Sequence, residues 1–264
     1  MTLAKLSFGC VLLCGILASA ALGTEHAATA ASEVVDCARA KAPGLDGVRA
    51  VRVVEWDRVG SRHVATVRLH TRRSGDMREV LVRFTEPIDL RGNAVLLVES
   101  PKGRELYFWS EELGGSKQVR GSEKSLGLFG RAFSYEDLEL MLASYRPGEY
   151  SRVEETVFGN RSVSLVETKP SETDGSAYET VVTMFDLQTC TPLRLELYES
   201  GHSLRKVISA DPLRVQDGGV SLPNMVVSRD LRDFTTTLLM LDFSKQDPYP
   251  EDGPSFDTMR EGSN

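Results

Sequence analysis

Side chains able to do chemistry are sparse in this 264-residue chain. Its four histidines are His26, His63, His70 and His202. His63 and His70 fall in one alternating segment but seven residues apart, which sends them to opposite faces of a strand and away from a shared metal ion. No serine has glycines two before and two after it, the layout of a hydrolase nucleophile elbow. No two glycines stand two residues apart, so the dinucleotide-binding fingerprint is absent. The neighbouring carboxylates Glu136-Asp137 and Glu154-Glu155 sit on single elements, whereas a glycosidase pair must flank its substrate from different ones; solvated acids are expected there. The expectation is a non-enzymatic protein with no catalytic residue, no metal and no cofactor.

The cysteines are read together with the N-terminus. Lys5 is the only charge before Glu25, and an uncharged stretch with Val11, Leu12, Leu13, Ile16 and Leu17 at its centre follows it. A cation, a short apolar core and then small residues is the layout of a secretory signal, here residues 1–23. Cys10 and Cys14 leave with that segment, and the mature chain keeps Cys37 and Cys190. In an oxidising compartment the two are expected to form one bridge, the other reading being two unpaired buried thiols.

The elements that would carry any site are mostly strands. Residues 31–41 read as a short helix, with Ser32 as cap and Pro43-Gly44 as stop. Ser134 to Ala143 read as a second, with Ser134 as cap and Asp137 three residues on. Elsewhere apolar and polar residues alternate in runs separated by turn residues such as Gly159-Asn160 and Ser200-Gly201. The count is about eleven strands, paired antiparallel because nothing supplies crossover helices. So many strands must cover their edges, and each is apolar on one face. A mainly β fold follows: a strongly curved antiparallel sheet forming an unclosed half-barrel, with the short helices as plug or lid. The single domain spans 31–243, and 244–264, with Pro248, Pro250 and Pro254 among acids, reads as a mostly irregular tail.

Charge narrows the partners. With 31 Lys and Arg against 38 Asp and Glu, the net charge is −7, which argues against nucleic-acid binding. The cations are nevertheless concentrated early, twelve against seven acids between Cys37 and Arg91. A cationic face for peripheral contact with anionic headgroups is one reading; a solvated face of paired charges is the other.

Residues 79–138 carry a resemblance. Glu79-Val80-Leu81-Val82-Arg83-Phe84-Thr85-Glu86-Pro87 leads to Leu90-Arg91-Gly92-Asn93 and an apolar strand. Leu106-Tyr107-Phe108-Trp109 follows, then Lys117-Gln118-Val119-Arg120, and Phe133-Ser134-Tyr135-Glu136-Asp137-Leu138 closes the block. This order resembles the outer-membrane lipoprotein-sorting proteins, the LolA-like branch of the LolA/LolB lipoprotein-carrier superfamily. The resemblance implies a periplasmic protein with helices as lid. Its cargo would be a lipid acyl chain or lipoprotein, and an inner-membrane transporter of the resistance-nodulation-division type a partner. The alternative is an accessory subunit of such a transporter that binds protein in place of lipid.

Alternation then selects the inward residues. They are Val80, Val82 and Phe84; Ala94, Leu96 and Val98; Tyr107 and Trp109; Leu195 and Leu197; and Leu239 and Leu241. Arg91, at the start of an apolar strand, is the candidate headgroup or lid contact. Each apolar residue here could equally be plain core.

Overall fold

The computed structural model describes residues 30–40, 47–128, 131–142, 149–171, 175–210, 213–215, 221–242 and 254–261. The expected signal segment lies outside them, as does most of the expected tail. The first meander is β1 (Gly47–Trp56), β2 (Arg62–Ser74), β3 (Met77–Glu86), β4 (Ala94–Ser100), β5 (Gly103–Ser110) and β6 (Gly115–Val119). The second is built from β7 (Glu149–Phe158), β8 (Arg161–Lys169), β9 (Thr180–Asp186), β10 (Pro192–Glu199), β11 (Ser203–Ala210), β14 (Met225–Asp230) and β15 (Thr235–Asp242). β12 (Leu213–Val215) and β13 (Ser221–Pro223) pair apart as a ribbon.

The other thirteen strands form one antiparallel sheet in the order β6-β5-β4-β3-β2-β1-β15-β14-β11-β10-β9-β8-β7. The two meanders join at its middle, where Val53 of β1 lies opposite Leu239 of β15. This corrects the expected half-barrel of about eleven strands. The sheet is neither strongly curled nor closed, since β6 and β7 are separate edges, each paired on one side only among the described residues. Curling was expected as the means of covering apolar faces and free edges. The chain uses other means. Helices cover both faces, β6 has only five residues, and β7 carries the exposed Glu154 and Glu155.

α1 spans 30–40, close to the helix read from sequence. Ala31, Val35 and Ala38 lie on one face of it and pack with Val166 of β8 and Phe185 of β9. A disulfide joins Cys37 of α1 to Cys190, with Cα atoms 5.8 Å apart and 153 residues between them in sequence. α2 (Tyr135–Leu142) lies over the same face of the sheet, preceded by a 3-10 turn at Gly121–Ser125. No helix among the described residues is long and apolar enough to cross a membrane.

α3 (Phe256–Glu261) forms within the segment read as mostly irregular, and it covers the opposite face of β3, β4 and β5. Phe256 and Met259 are buried there against Leu81, Leu96 and Tyr107. The Arg72 guanidinium stands 4.3 Å from the Phe256 ring centroid and pairs with Asp257 at 2.9 Å. Arg260 pairs with Asp257 at 2.7 Å, and the Ser116 hydroxyl donates to the Met259 carbonyl at 2.6 Å.

His70 of β2 is buried on this same face, at 1% exposure. Burial lowers its pKa from 6.5 to about 4, helped by the nearby cations Arg83 and Arg68. The unfolded chain therefore binds the proton near pH 6.5 and the folded chain only near pH 4. Stability that is complete above pH 6.5 is expected to fall by about 3 kcal/mol as the pH drops to 4. Urea unfolding across that window should show the slope in the wild type and a flatter one in His70→Leu. An unchanged slope would assign the loss to other groups.

Candidate functional site

Strand register sets one apolar floor. Val51 of β1 lies opposite Val67 of β2 and Leu241 of β15, and Leu239 lies opposite Val226 of β14. Directly opposed residues share a face, so these side chains point together toward α2. α2 has eight residues, about 12 Å of helix, too short to cover a floor that runs from β3 to β10. A hollow of about 280 Å³ is left between them. Apolar cavities of ~150 Å³ already admit a benzene-sized molecule. Val53, Val82, Phe84, Leu195, Ile208 and Ala210 complete the floor. Leu138, Leu140, Met141 and Leu142 of α2 form the roof, with Leu128 and Phe133 from the segment before it.

The roof is held by charge. Ser134 caps α2: its hydroxyl accepts from the Asp137 N–H at 3.1 Å, and its own N–H donates to Asp137 Oδ2 at 2.8 Å. Asp137 also receives Lys206 Nζ of β11 at 2.6 Å and the Tyr178 hydroxyl at 3.1 Å. Glu136 accepts from the Ala177 N–H at 3.0 Å and from the Ser176 hydroxyl. Glu139 pairs with Lys124 at 2.9 Å and with Arg104 of β5 at 3.3 Å. The expectation of solvated acids is therefore overturned at Glu136 and Asp137, which are 5% and 0% exposed. Burial raises the Glu136 pKa, and its two hydrogen bonds oppose that shift.

A few polar groups interrupt the wall. Arg78 pairs with Glu99 at 2.7 Å and donates to the Leu142 carbonyl at 2.6 Å, satisfying an acceptor at the end of α2. Glu55 accepts from the Ala132 N–H at 3.0 Å, tying the segment before α2 to β1. His63 and Arg131 lie in the wall too. Among the described residues, no group of three or more His, Cys, Asp or Glu is placed to hold a metal ion.

Residues 76–253 match the model of a family described as "Uncharacterized protein"-like. The chain belongs to that family. No curated protein matches it. Solved structures do. A domain named for outer membrane lipoprotein sorting, from Vibrio parahaemolyticus, superposes with a TM-score of 0.73 at 19% identity, covering 90% of this chain and 97% of that one. A DUF1329 family protein from Desulfovibrio piger gives a TM-score of 0.73 at 15% identity, over 82% and 91% of the two chains. A LolA superfamily protein from Nitrosomonas europaea gives 0.62 at 16% identity, over 84% and 95%. At these identities the likeness is one of fold.

The residues selected from sequence divide between the two faces. Val82, Phe84, Leu195, Leu239 and Leu241 line the hollow. Val80 and Leu197 belong to the packed cluster around it. Ala94, Leu96, Val98, Tyr107 and Trp109 do not reach it and lie on the opposite face with α3. β4 is apolar on both sides because both are covered, so alternation could not choose, and its inward residues are Val95 and Leu97. Arg91 is exposed and donates through Nε to the Thr85 carbonyl at 3.1 Å; the arginines in the wall are Arg78 and Arg131. The roof residues Leu138 to Leu142 were missed, although their apolar run after a cap was visible.

Removing one partner of a buried ion pair leaves the other charge unpaired, at a cost of about 3–5 kcal/mol. Asp137→Ala is expected to lower stability by that order, since Lys206 then keeps only Asp230 at 3.7 Å. The double variant Asp137→Leu/Lys206→Met should lose less. Chemical denaturation of the three proteins checks the ordering, and equal losses would show that the pair does not anchor α2.

Proposed function

We propose that this protein is a non-catalytic periplasmic carrier of acyl-bearing cargo, a lipid or the lipid anchor of a lipoprotein. It shelters hydrocarbon in the hollow and passes it to an acceptor in the envelope. The observation that carries this reading is the hollow itself, apolar in floor and roof and left unfilled by the side chains of the described residues. The export signal read at residues 1–23 and the shared fold with a lipoprotein-sorting domain support the location and the class of cargo.

The energetics are adequate. Each methylene taken out of water contributes about 0.8 kcal/mol, so a sixteen-carbon chain gains on the order of 10 kcal/mol before the costs of binding. Release requires an acceptor with higher affinity for the cargo. Leu138, Leu140, Met141 and Leu142 suit such traffic, because flexible aliphatic side chains repack around chains of different shape. The same surface needs no fixed complementarity to one ligand.

Filling the hollow from its floor tests the reading. Ala210→Trp is expected to abolish binding of a fluorescent fatty acid and to remove lipid that copurifies in native mass spectrometry. Overpacking of this kind costs about 1–3 kcal/mol, so the fold should survive and urea unfolding would verify it. Wild-type preparations free of lipid, and unable to bind the fluorescent fatty acid, would sink the carrier function.

A further inference from the structure

The floor of the hollow changes character along β1 and β2. Its inward pairs are Val51 with Val67, Val53 with Ala65, and then Glu55 with His63, all of them in the wall. Val51 and Glu55 are four residues apart on the strand, about 14 Å. An apolar run therefore ends in a carboxylate beside an imidazole. Arg131 stands in the wall with them. Its neighbour Ala132 donates its N–H to Glu55 Oε2 at 3.0 Å, and its own N–H donates to the Leu128 carbonyl at 3.0 Å. Gly127 lets the chain fold back this tightly, because a Cβ there would lie 1.6 Å from the Arg131 carbonyl oxygen.

Both signs of charge are left over at this end. Among the described residues neither Glu55 nor Arg131 has an ion-pair partner. Glu55 is 7% exposed, and a buried carboxylate with no cation beside it is costly. Arg78, the other charged residue of the wall, is matched by Glu99 and the Leu142 carbonyl. A purely anionic head would satisfy Arg131 and be repelled by Glu55. The turns outside this end add to that repulsion, since Asp57, Asp89, Glu111 and Glu112 outnumber Arg58 and Arg91. A head bearing one charge of each sign meets both groups without conflict. The Glu55 carboxylate has lone pairs enough to accept from the Ala132 N–H and from a ligand together, and neutral or charged His63 has a ring N–H to donate.

We propose that the hollow selects acyl lipids whose head carries both an ammonium and a phosphate, as phosphoethanolamine does. The ammonium donates to Glu55, the phosphate accepts from Arg131 and His63, and the hydrocarbon lies along the apolar floor toward Val51. Hydrogen bonds with a charged group on each side are the strong ones and fix orientation as well as affinity. The proposal deepens the carrier reading and rests on it, since it names the head of a cargo whose chain the hollow shelters.

Displacement of a fluorescent fatty acid tests the proposal, with the probe's own affinity measured for each protein. The competitors share one palmitoyl chain and differ in the head: lysophosphatidylethanolamine, lysophosphatidylglycerol and monopalmitoylglycerol, each kept below its micelle concentration. Wild type is expected to bind the first roughly tenfold more tightly than either of the others. Glu55→Gln keeps an acceptor for the Ala132 N–H and should bring lysophosphatidylethanolamine down to the level of lysophosphatidylglycerol. Arg131→Gln should weaken both phosphate lipids roughly tenfold and leave monopalmitoylglycerol unchanged. Urea unfolding verifies each fold; if Glu55→Gln does not fold, Arg131→Gln, at a half-buried position, carries the test. Native mass spectrometry of protein purified from cells shows whether a one-chain or a two-chain lipid supplies the head. Either supports the proposal, and a bound lipid lacking an amine overturns it. Equal affinity for the three competitors, a preference for lysophosphatidylglycerol, or a preference that survives both substitutions would overturn the head site and leave the carrier standing. Failure of all three, and of the probe, to bind wild type would bring down both.

Discussion

Asp137 and Lys206 meet out of reach of water, and the position of α2 depends on their meeting. A buried charge is costly unless paired, so neither residue tolerates a state in which the helix has left the sheet and the other has not been resolvated. Glu136 and Glu139 extend the constraint to the β8–β9 connection, the 3-10 turn and β5. The helix is thus fixed at its polar N-terminal half, and the apolar residues that follow hang over the floor of the hollow. Buried ion pairs at one end, and aliphatic contact with the single Arg78 hydrogen bond at the other, come from one eight-residue element.

The hollow follows from a mismatch of sizes. Close packing is the normal state of a protein interior, and an unfilled apolar volume forfeits dispersion contacts along its lining. Here the floor is made by strands from both meanders, and the roof is one short helix with Leu128 and Phe133 from the segment before it. The deficit is consistent with a site that exchanges ligand, because a tightly filled core would have to break its own contacts to admit one.

Much of the local structure was legible in the sequence. The α1 helix, the cap at Ser134 and most strands could be placed from spacing, alternation and turn residues, and the pairing of Cys37 with Cys190 was one of two readings of the cysteines left after residues 1–23. The global shape was not. Its failure has a definite cause in α3: Arg72 and Asp257 are 185 residues apart, and no local pattern announces that a C-terminal segment returns to cover β3 to β5. Without that cover, a strand apolar on both sides, as β4 is, reads as ambiguous. Curling then looks like the only way to bury the surplus. The same ignorance misassigned Tyr107 and Trp109. Arg91 was selected because its place at the start of an apolar strand is visible in the sequence, whereas the approach of Arg78 and Arg131 to the hollow depends on a roof formed elsewhere in the chain.

The seam between β1 and β15 has a consequence for biogenesis. Its two partners are the first and last strands of the sheet, so the pairing cannot form until residue 242 has emerged. Until then the first meander displays an unsatisfied backbone edge along β1, and such edges invite association with other chains. Closure of so long a loop also slows folding. A nascent chain of this design passes through a vulnerable interval during synthesis, one in which holdase chaperones would find a natural client.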